Sequence, residues 1–260
     1  MREEAEMERL KKFLKTANFL VYLILLVMIL IGTLYAGYSL WDNYKIYSQA
    51  DKVQKDMLRF KPDLSSEKSV KLSFEELRSI NGDVCAWLTI DNTNIDYPVV
   101  HGIDNFEYVS KDVYGDFSLA GSIFLDFRCA PDFSDNYNIV YGHHMANSKM
   151  LGDLDKYKKQ EFFENNKTGT LITPDKTFRL EIFSVILVRE SDIKIFGWSE
   201  NTDLNKFADY IKDNSLYYDS AVLNKVKMLS SSAQVVSVTT CSEEFSDART
   251  VLIARMVPQK

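Results

Sequence analysis

One uninterrupted apolar segment near the N-terminus limits what this chain can fold into. From Thr16 to Trp41 no Asp, Glu, Lys, Arg or His occurs, which is a run of 26 residues. As a helix such a run is about 39 Å long, and a hydrocarbon core is about 30 Å thick. A cleaved signal peptide is the alternative, but its apolar part is usually about 7–15 residues long. We therefore predict a transmembrane signal anchor over residues 16–41.

The lysines that flank this segment predict its orientation. Four lysines flank the segment, and three of them lie on its N-terminal side. Basic residues favour the cytoplasmic face of a membrane. We expect residues 1–15 to form a cytoplasmic tail and the chain after residue 41 to lie outside the cell. Membrane lipid is then a partner of residues 16–41. The four flanking lysines are Lys11, Lys12, Lys15 and Lys45.

A charged stalk is predicted to follow the membrane segment. Its helix extends from Asp42 to about Phe60, where Lys61-Pro62 ends it, because the residue before a proline avoids the helical conformation. We assign residues 42–72 to this helical stalk and linker.

The outer domain is predicted to begin at residue 73 and to extend to residue 260. Ser73 followed by Glu76 is a capping box, which predicts a short helix that ends at Asn81-Gly82. Further helices are predicted over 204–212 and 221–228. Between them lie β-branched and aromatic runs bounded by turn residues. The predicted strands are 84–90, 97–100, 122–125, 138–141, 168–172, 178–188, 235–240 and 250–257.

Eight short strands with few helices between them indicate a mainly β domain. This pattern favours an antiparallel barrel or sandwich over a parallel α/β sheet. The charge balance, 31 basic against 37 acidic residues, argues against nucleic acid as a partner. The sequence has no Cys-x-x-Cys, His-Glu-x-x-His, EF-hand loop or glycine-rich phosphate loop, so we expect neither a metal nor a cofactor.

Histidine is scarce, which restricts any imidazole chemistry to three positions. His143 and His144 follow a predicted strand and Gly142, whereas His101 lies after an earlier strand. A strand end is a usual place for a catalytic side chain. Two adjacent exposed loop histidines fit the same spacing.

The odd number of cysteines leaves one thiol to explain. Cys241 lies where a predicted strand opens into a polar loop, a position that suits either a nucleophile or an ordinary loop thiol. A thiol of pKa about 8.5 needs nearby positive charge to form a useful thiolate, and Arg249 or a protonated histidine can supply it. Cys85 and Cys129 are expected to be structural thiols.

At these residues the sequence resembles the sortases, and class B sortases in particular. Thr-Thr-Cys241 with Arg249 eight residues later matches the sortase signature, and Tyr-Gly-His143 matches the histidine motif. The resemblance extends over about residues 77–257, with motifs in the same order. Further matching segments are 94–100, 104–108, 120–126, 139–145 and 150–157.

The resemblance implies a role for each matching residue. Cys241 is the nucleophile, His143 the catalytic histidine and Arg249 the third catalytic group. Valine stands at Val109 and Val238 where leucine is usual, and Ser242 replaces a residue that can be acidic, so the exact signal peptide stays open. The residues expected in the substrate groove are Asn105, Val109, Thr239, Thr240 and Ser242.

The resemblance also implies the fold and the reaction. The expected fold is an eight-stranded sortase-type β-barrel with peripheral helices. The expected activity is transpeptidation, in which the sorting signal of a secreted surface protein is cut after Thr through a thioester. The protein then passes to an amine of peptidoglycan or of a pilin subunit. Two alternatives are a catalytically silent domain on the same barrel and another cell-wall Cys/His enzyme, such as an L,D-transpeptidase or a papain-like peptidase.

Overall fold

The computed structural model describes residues 2–197, 202–241 and 247–259, and at Cys241 it describes the backbone alone. Three 3-10 helices, Leu58–Phe60, Glu107–Val109 and Gly152–Lys158, accompany the α-helices. The α-helices are α1 (Arg2–Met57), α2 (Glu67–Ile80), α3 (Gln160–Asn165), α4 (Ile193–Phe196), α5 (Leu204–Asn214) and α6 (Ser220–Met228).

The chain divides into two compact units, Met1–Ile46 and Tyr47–Lys260. In the first unit, α1 contains the uncharged segment predicted to cross a membrane. Among the described residues one helix, Arg2–Phe60, is long and apolar enough for a span. At the end of the uncharged run the Lys45 ammonium lies 4.3 Å from the centre of the Trp41 ring.

The second unit is built around a closed barrel of eight strands. In spatial order these are β11, β10, β4, β3, β2, β1, β7 and β8, and β8 pairs back onto β11, so the sheet has no open edge there. β9 extends the sheet beside β8, and β5 and β6 form a separate hairpin. The strands are β1 (Val84–Ile90), β2 (Asp96–Val100), β3 (Ile123–Leu125), β4 (Tyr137–Tyr141), β5 (His144–Met145), β6 (Lys149–Met150), β7 (Thr168–Ile172), β8 (Thr177–Arg189), β9 (Ser215–Tyr218), β10 (Gln234–Cys241) and β11 (Ala248–Pro258).

All eight predicted strands form the barrel, with bounds that differ by up to two residues. The expected antiparallel arrangement is wrong at two places, because β2 pairs with β3 and β4 pairs with β10 in parallel. The sequence pattern did not predict β5, β6 and β9, which have two to four residues each.

The start of α2 also differs from the prediction. Ser66, not Ser73, is the N-cap, and its hydroxyl accepts a hydrogen bond from the Ser69 backbone N–H at 3.1 Å. Ser73 lies inside the helix and donates to the Ser69 carbonyl at 3.0 Å. The earlier start adds Val70 to the buried face of α2, and this extra apolar contact extends the helix beyond the capping box.

Among the described residues, apolar clusters pack the helices against the barrel. One includes Met57 at the end of α1, Phe74 of α2 and Trp87 of β1, all at most 1% exposed. Another packs α5 and α6 onto one face of the barrel, against side chains such as Val235 and Val251. Since side chains alternate along a strand, that face of β10 and β11 also carries the residue positions 239, 241 and 249.

Candidate active site

The register of two parallel strands places the two predicted reacting residues at the same end of the barrel. β4 and β10 pair with Tyr141 opposite Thr239. Just beyond, the Gly142 N–H donates to the Thr239 carbonyl at 3.2 Å. His143 and Cys241 each come two residues after this matched pair. Both positions therefore lie at the same edge of the barrel, where β4 and β10 end.

The third predicted catalytic residue reaches the same edge from the opposite side of β10. β10 and β11 are antiparallel, and Cys241 is the register partner of Arg249. Directly opposed residues share a face of the sheet. The fold therefore brings the backbone of His143 together with those of Cys241 and Arg249, which lie far from it in sequence.

His143 is held by a carbonyl from another loop. Its ring is half-buried, and Nε2 lies 2.8 Å from the Val109 carbonyl oxygen. A carbonyl oxygen only accepts hydrogen bonds, so this contact assigns the proton to Nε2 and leaves Nδ1 as the basic atom of the neutral ring. Val109, expected in the groove, thus also contacts the histidine through its backbone.

The neighbouring histidine has a different environment. His144 Nε2 lies 2.7 Å from an Asp155 carboxylate oxygen, and Lys158 contacts the other oxygen of that carboxylate at 2.7 Å. His144 also belongs to β5, the hairpin strand that pairs with β6. These contacts tie His144 to the surrounding scaffold.

Arg249 presents its guanidinium close to the edge. The side chain is 21% exposed, and Nη2 contacts the carboxylate of Glu190, which is 64% exposed. Nη1 donates to the Ala248 carbonyl at 3.3 Å. Glu190 follows β8, and its backbone N–H donates to the Asp247 carbonyl at 3.0 Å, so the end of β8 and the start of β11 hold the two partners of this ion pair side by side.

The groove residues predicted on β10 lie on opposite faces of the strand. Thr239 shares a face with position 241, and its buried hydroxyl has no hydrogen-bond partner among the described residues. Thr240 faces the other way, together with its register partner Thr250. Ser242 lies outside the described residues.

Asn105 is turned toward a buried carboxylate. Its Nδ2 donates to Asp126 at 3.0 Å, and its Oδ1 accepts from the Phe127 backbone N–H at 3.0 Å. Asp126 also accepts from the Tyr141 hydroxyl at 3.1 Å. No role for Asp126 could be predicted from the sequence pattern. A charged residue directly after a buried apolar strand was the available signal, because such a charge requires partners.

Among the side chains that the structure describes, which exclude that of Cys241, no group of three or more His, Cys, Asp or Glu residues is arranged to hold a metal ion.

Comparison with known proteins agrees with the architecture. The family model described as the Sortase domain matches residues 88–257. Sortase B of Staphylococcus aureus is 28% identical over 255 residues, which cover 96% of this chain and 98% of that protein. This chain belongs to the sortase family.

Solved structures give the class of this sortase. A Streptococcus pyogenes class B sortase involved in pilus biogenesis is 34% identical, with a TM-score of 0.63, over 70% of this chain and 97% of that one. A mutant form of Clostridium perfringens sortase B is 28% identical, with a TM-score of 0.69, over 80% and 97%. The predicted class B sortase and its eight-stranded barrel with peripheral helices are both confirmed.

Proposed function

We propose that this sortase is a membrane-anchored cysteine transpeptidase with Cys241, His143 and Arg249 as its catalytic residues. One observation carries the proposal: strand register gathers the ends of β4 and β10 and the start of β11 at one edge of the barrel. That edge supplies a thiol, an imidazole and a guanidinium, the three groups that acyl transfer through a thioester requires.

Acylation begins when the Cys241 thiolate attacks the carbonyl carbon of the Thr in a sorting signal. Arg249, which stays charged, donates hydrogen bonds to the oxygen that becomes negative. His143 as imidazolium gives a proton to the departing amine while the C–N bond breaks. Because Nε2–H is engaged by the Val109 carbonyl, we assign this proton transfer to Nδ1. The products are a thioester and a free amine.

The second half-reaction returns the enzyme to its starting state. The neutral His143 accepts a proton from the incoming amine as the amine nitrogen attacks the thioester carbonyl. A new amide forms, and the Cys241 thiolate leaves. Water as the attacking group would yield a hydrolysed protein instead.

The peptide is proposed to lie along the face of β10 that carries Cys241. Thr239 supports this placement, because its buried hydroxyl, which has no hydrogen-bond partner in the part of the chain that the structure describes, lies on the same face as the thiol position. Asn105 and Val109 approach from the loop before β3. Since Thr240 faces the opposite side of the strand, its proposed contribution is through its backbone. Ser242 completes the proposed groove.

The predicted membrane anchor supports a proposal for where the catalytic domain lies. A sortase that meets a secreted substrate at the outer membrane surface needs a span with the catalytic domain outside, which residues 16–41 and a cytoplasmic tail 1–15 would provide. The amine is proposed to belong to peptidoglycan or to a pilin subunit. The Streptococcus pyogenes relative involved in pilus biogenesis makes the pilin amine an arm of the test.

A peptide-transfer assay tests this proposal. The full chain in detergent is incubated with fluorogenic sorting peptides and with either a cell-wall peptide amine or a pilin lysine peptide. Cys241→Ala, His143→Ala and Arg249→Ala are each expected to lower kcat/KM at least about 100-fold, and mass spectrometry is expected to show a thioester on Cys241 in the wild type. Membrane fractionation of cells is expected to recover the full chain in the membrane.

Matched variants keep the assay specific. Cys129→Ala and His144→Ala change the same residue types at positions outside the proposed machinery and are expected to retain most activity. Unchanged cleavage by Cys241→Ala would exclude the thioester route. Activity lost in His144→Ala but kept in His143→Ala would show that His144, not His143, is the catalytic histidine. A folded wild type that forms no thioester with any peptide would favour a silent domain.

A further inference from the structure

Asp126, directly after β3, is a fully buried charged residue that the proposed reaction does not use. Its side chain has no exposure to solvent. Taking a carboxylate out of water is unfavourable unless several donors replace the lost hydration. The groups that donate to Asp126 are the groups whose orientation the buried charge fixes.

The side-chain donors to Asp126 come from three separate segments of the chain. Arg128 donates two parallel hydrogen bonds to the carboxylate, from Nε to Oδ1 at 2.8 Å and from Nη2 to Oδ2 at 2.7 Å. Asn105 Nδ2 and the Tyr141 hydroxyl both donate to Oδ2, at 3.0 and 3.1 Å. Arg128 Nη2 also donates to the Phe196 carbonyl in α4 at 3.0 Å. We refer to Asn105, Asp126, Arg128 and Tyr141 as the Asp126 network.

The charge state of Asp126 fixes the direction of every hydrogen bond in the network. Burial alone would raise its pKa, but the hydrogen bonds from Arg128 and Asn105 outweigh burial and hold the pKa below its usual range. The carboxylate is therefore ionised at neutral pH and can only accept. Tyr141 must point its proton at Asp126, which leaves the lone pairs of its hydroxyl oxygen for other donors.

Tyr141 stands next to the proposed reaction centre. It is the register partner of Thr239 and lies two residues before His143. Its ring stacks on Phe124, with centroids 5.4 Å apart, and on Phe196, with centroids 6.3 Å apart. Because Arg128 also holds the Phe196 carbonyl, the network fixes both the hydroxyl of Tyr141 and one of the aromatic rings beside it.

We propose that Asp126 and Arg128 are positioning residues for peptide recognition, which act by presenting the Tyr141 hydroxyl as a hydrogen-bond acceptor and by orienting the Asn105 amide. The ligand group read at this position is an N–H donor of the peptide. This inference rests on the proposed function, because it assumes that the peptide passes along β10 beside Tyr141.

A binding experiment tests the network separately from the chemistry. All variants are made in full-length Cys241→Ala in detergent, so that a fluorescein-labelled sorting peptide stays uncleaved, and Kd is measured by anisotropy together with the thermal midpoint. Tyr141→Phe is expected to weaken binding about fivefold, which is the size of one lost hydrogen bond, and to lower the thermal midpoint because the buried carboxylate loses one donor. Asp126→Asn is expected to weaken binding by a similar factor.

The double variant distinguishes positioning from general stabilisation. If Asp126 acts through Tyr141, then Asp126→Asn adds little further loss of affinity in the Tyr141→Phe background. Arg128→Lys keeps the charge but cannot donate two parallel hydrogen bonds to the carboxylate, so it is expected to weaken binding several-fold. It replaces Asp126→Asn in the experiment if that variant fails to fold. Arg179→Gln is the matched control, since Arg179 forms an exposed pair with Glu181, and it should bind as the parent does.

Each outcome has a definite meaning. Equal Kd values for the parent, Tyr141→Phe and Arg128→Lys would overturn the inference, as would fully additive losses in the double variant. A peptide that binds to none of the proteins would overturn both the inference and the proposed function. A wild type that binds the peptide but forms no thioester, with the variants still weakened, would contradict the proposed function alone.

Discussion

Burial makes two of the three thiols of this chain poor nucleophiles. Cys85 and Cys129 are 3% and 2% exposed. Burial raises the pKa of each thiol to about 12, so at pH 8 only about one in ten thousand is a thiolate. Iodoacetamide is expected to alkylate Cys241 alone in the folded protein, as peptide mapping by mass spectrometry would show.

Two controls complete this alkylation measurement. In denaturant all three cysteines are expected to react, and folded Cys241→Ala is expected to stay unlabelled. Labelling of Cys85 in folded protein, at a rate comparable to that of Cys241, would contradict the assignment of the reactive thiol.

At this scale the sequence predicted which residues react but not the groups that hold them. Cys241 and Arg249 could be predicted because they match the sortase signature, and the register of β10 and β11 places the two positions opposite each other. The Val109 carbonyl beside His143 could not be predicted, since every residue has a carbonyl. The partners of Asp126 come from segments separated by up to 21 residues, so only the fold reveals them.

One glycine turn places the carbonyl that holds His143. Gly121 has φ of +59°, and a Cβ there would lie 2.6 Å from the Val109 carbonyl oxygen and 3.0 Å from His143 Cδ2. Gly121→Ala is therefore expected to destabilise the fold by about 1–3 kcal/mol. By displacing the histidine it should also lower kcat about 10- to 100-fold. Chemical unfolding and steady-state kinetics measure the two effects.

Gly82→Ala is the matched control for this substitution. No atom lies within 4 Å of a Cβ at Gly82, and its φ is not in the left-handed region, so both stability and kcat should stay near those of the parent. If Gly121→Ala lost stability with no change in kcat per folded molecule, the turn would have no part in placing His143.

At the scale of elements, long periodic segments could be predicted and short ones could not. The barrel strands are bounded by turn residues and are rich in β-branched side chains, which local pattern detects. β5 and β6 have two residues each and form only because the hairpin after His143 closes on itself. Both Ser66 and Ser73 could cap α2, and the burial of Val70 favours the start at Ser66.

At the scale of the whole molecule, the end of α1 belongs to the compact unit that begins at Tyr47. Ala50 and Met57 are 7% and 1% exposed, and the Gln54 amide donates to the Asn94 carbonyl at 2.9 Å. Charge pattern and the following proline predicted this helical segment. Its packing against the barrel depends on side chains from several distant strands, which local sequence does not show.

An ion pair connects this part of α1 to the hairpin that follows His143. Asp51 contacts Lys149 of β6 and Lys55 of α1, and hydrogen bonds from Lys149 and then Lys55 lower the pKa of Asp51 to about 2. An unfolded Asp has a pKa near 3.9. The pair therefore stabilises the folded chain above about pH 4, and this contribution disappears as the pH falls toward 2.

Asp51→Asn is thus expected to lower the urea midpoint of residues 42–260 at pH 7 but to match the parent near pH 2. The carboxylate is 30% exposed, so solvent screening limits the loss at pH 7 to about 1 kcal/mol. Asp175→Asn serves as the control, because its pair with Lys71 is 74% and 58% exposed and should contribute little at either pH. A difference between Asp51→Asn and the parent that persisted unchanged to pH 2 would mean that packing, not the charge of Asp51, joins α1 to the hairpin.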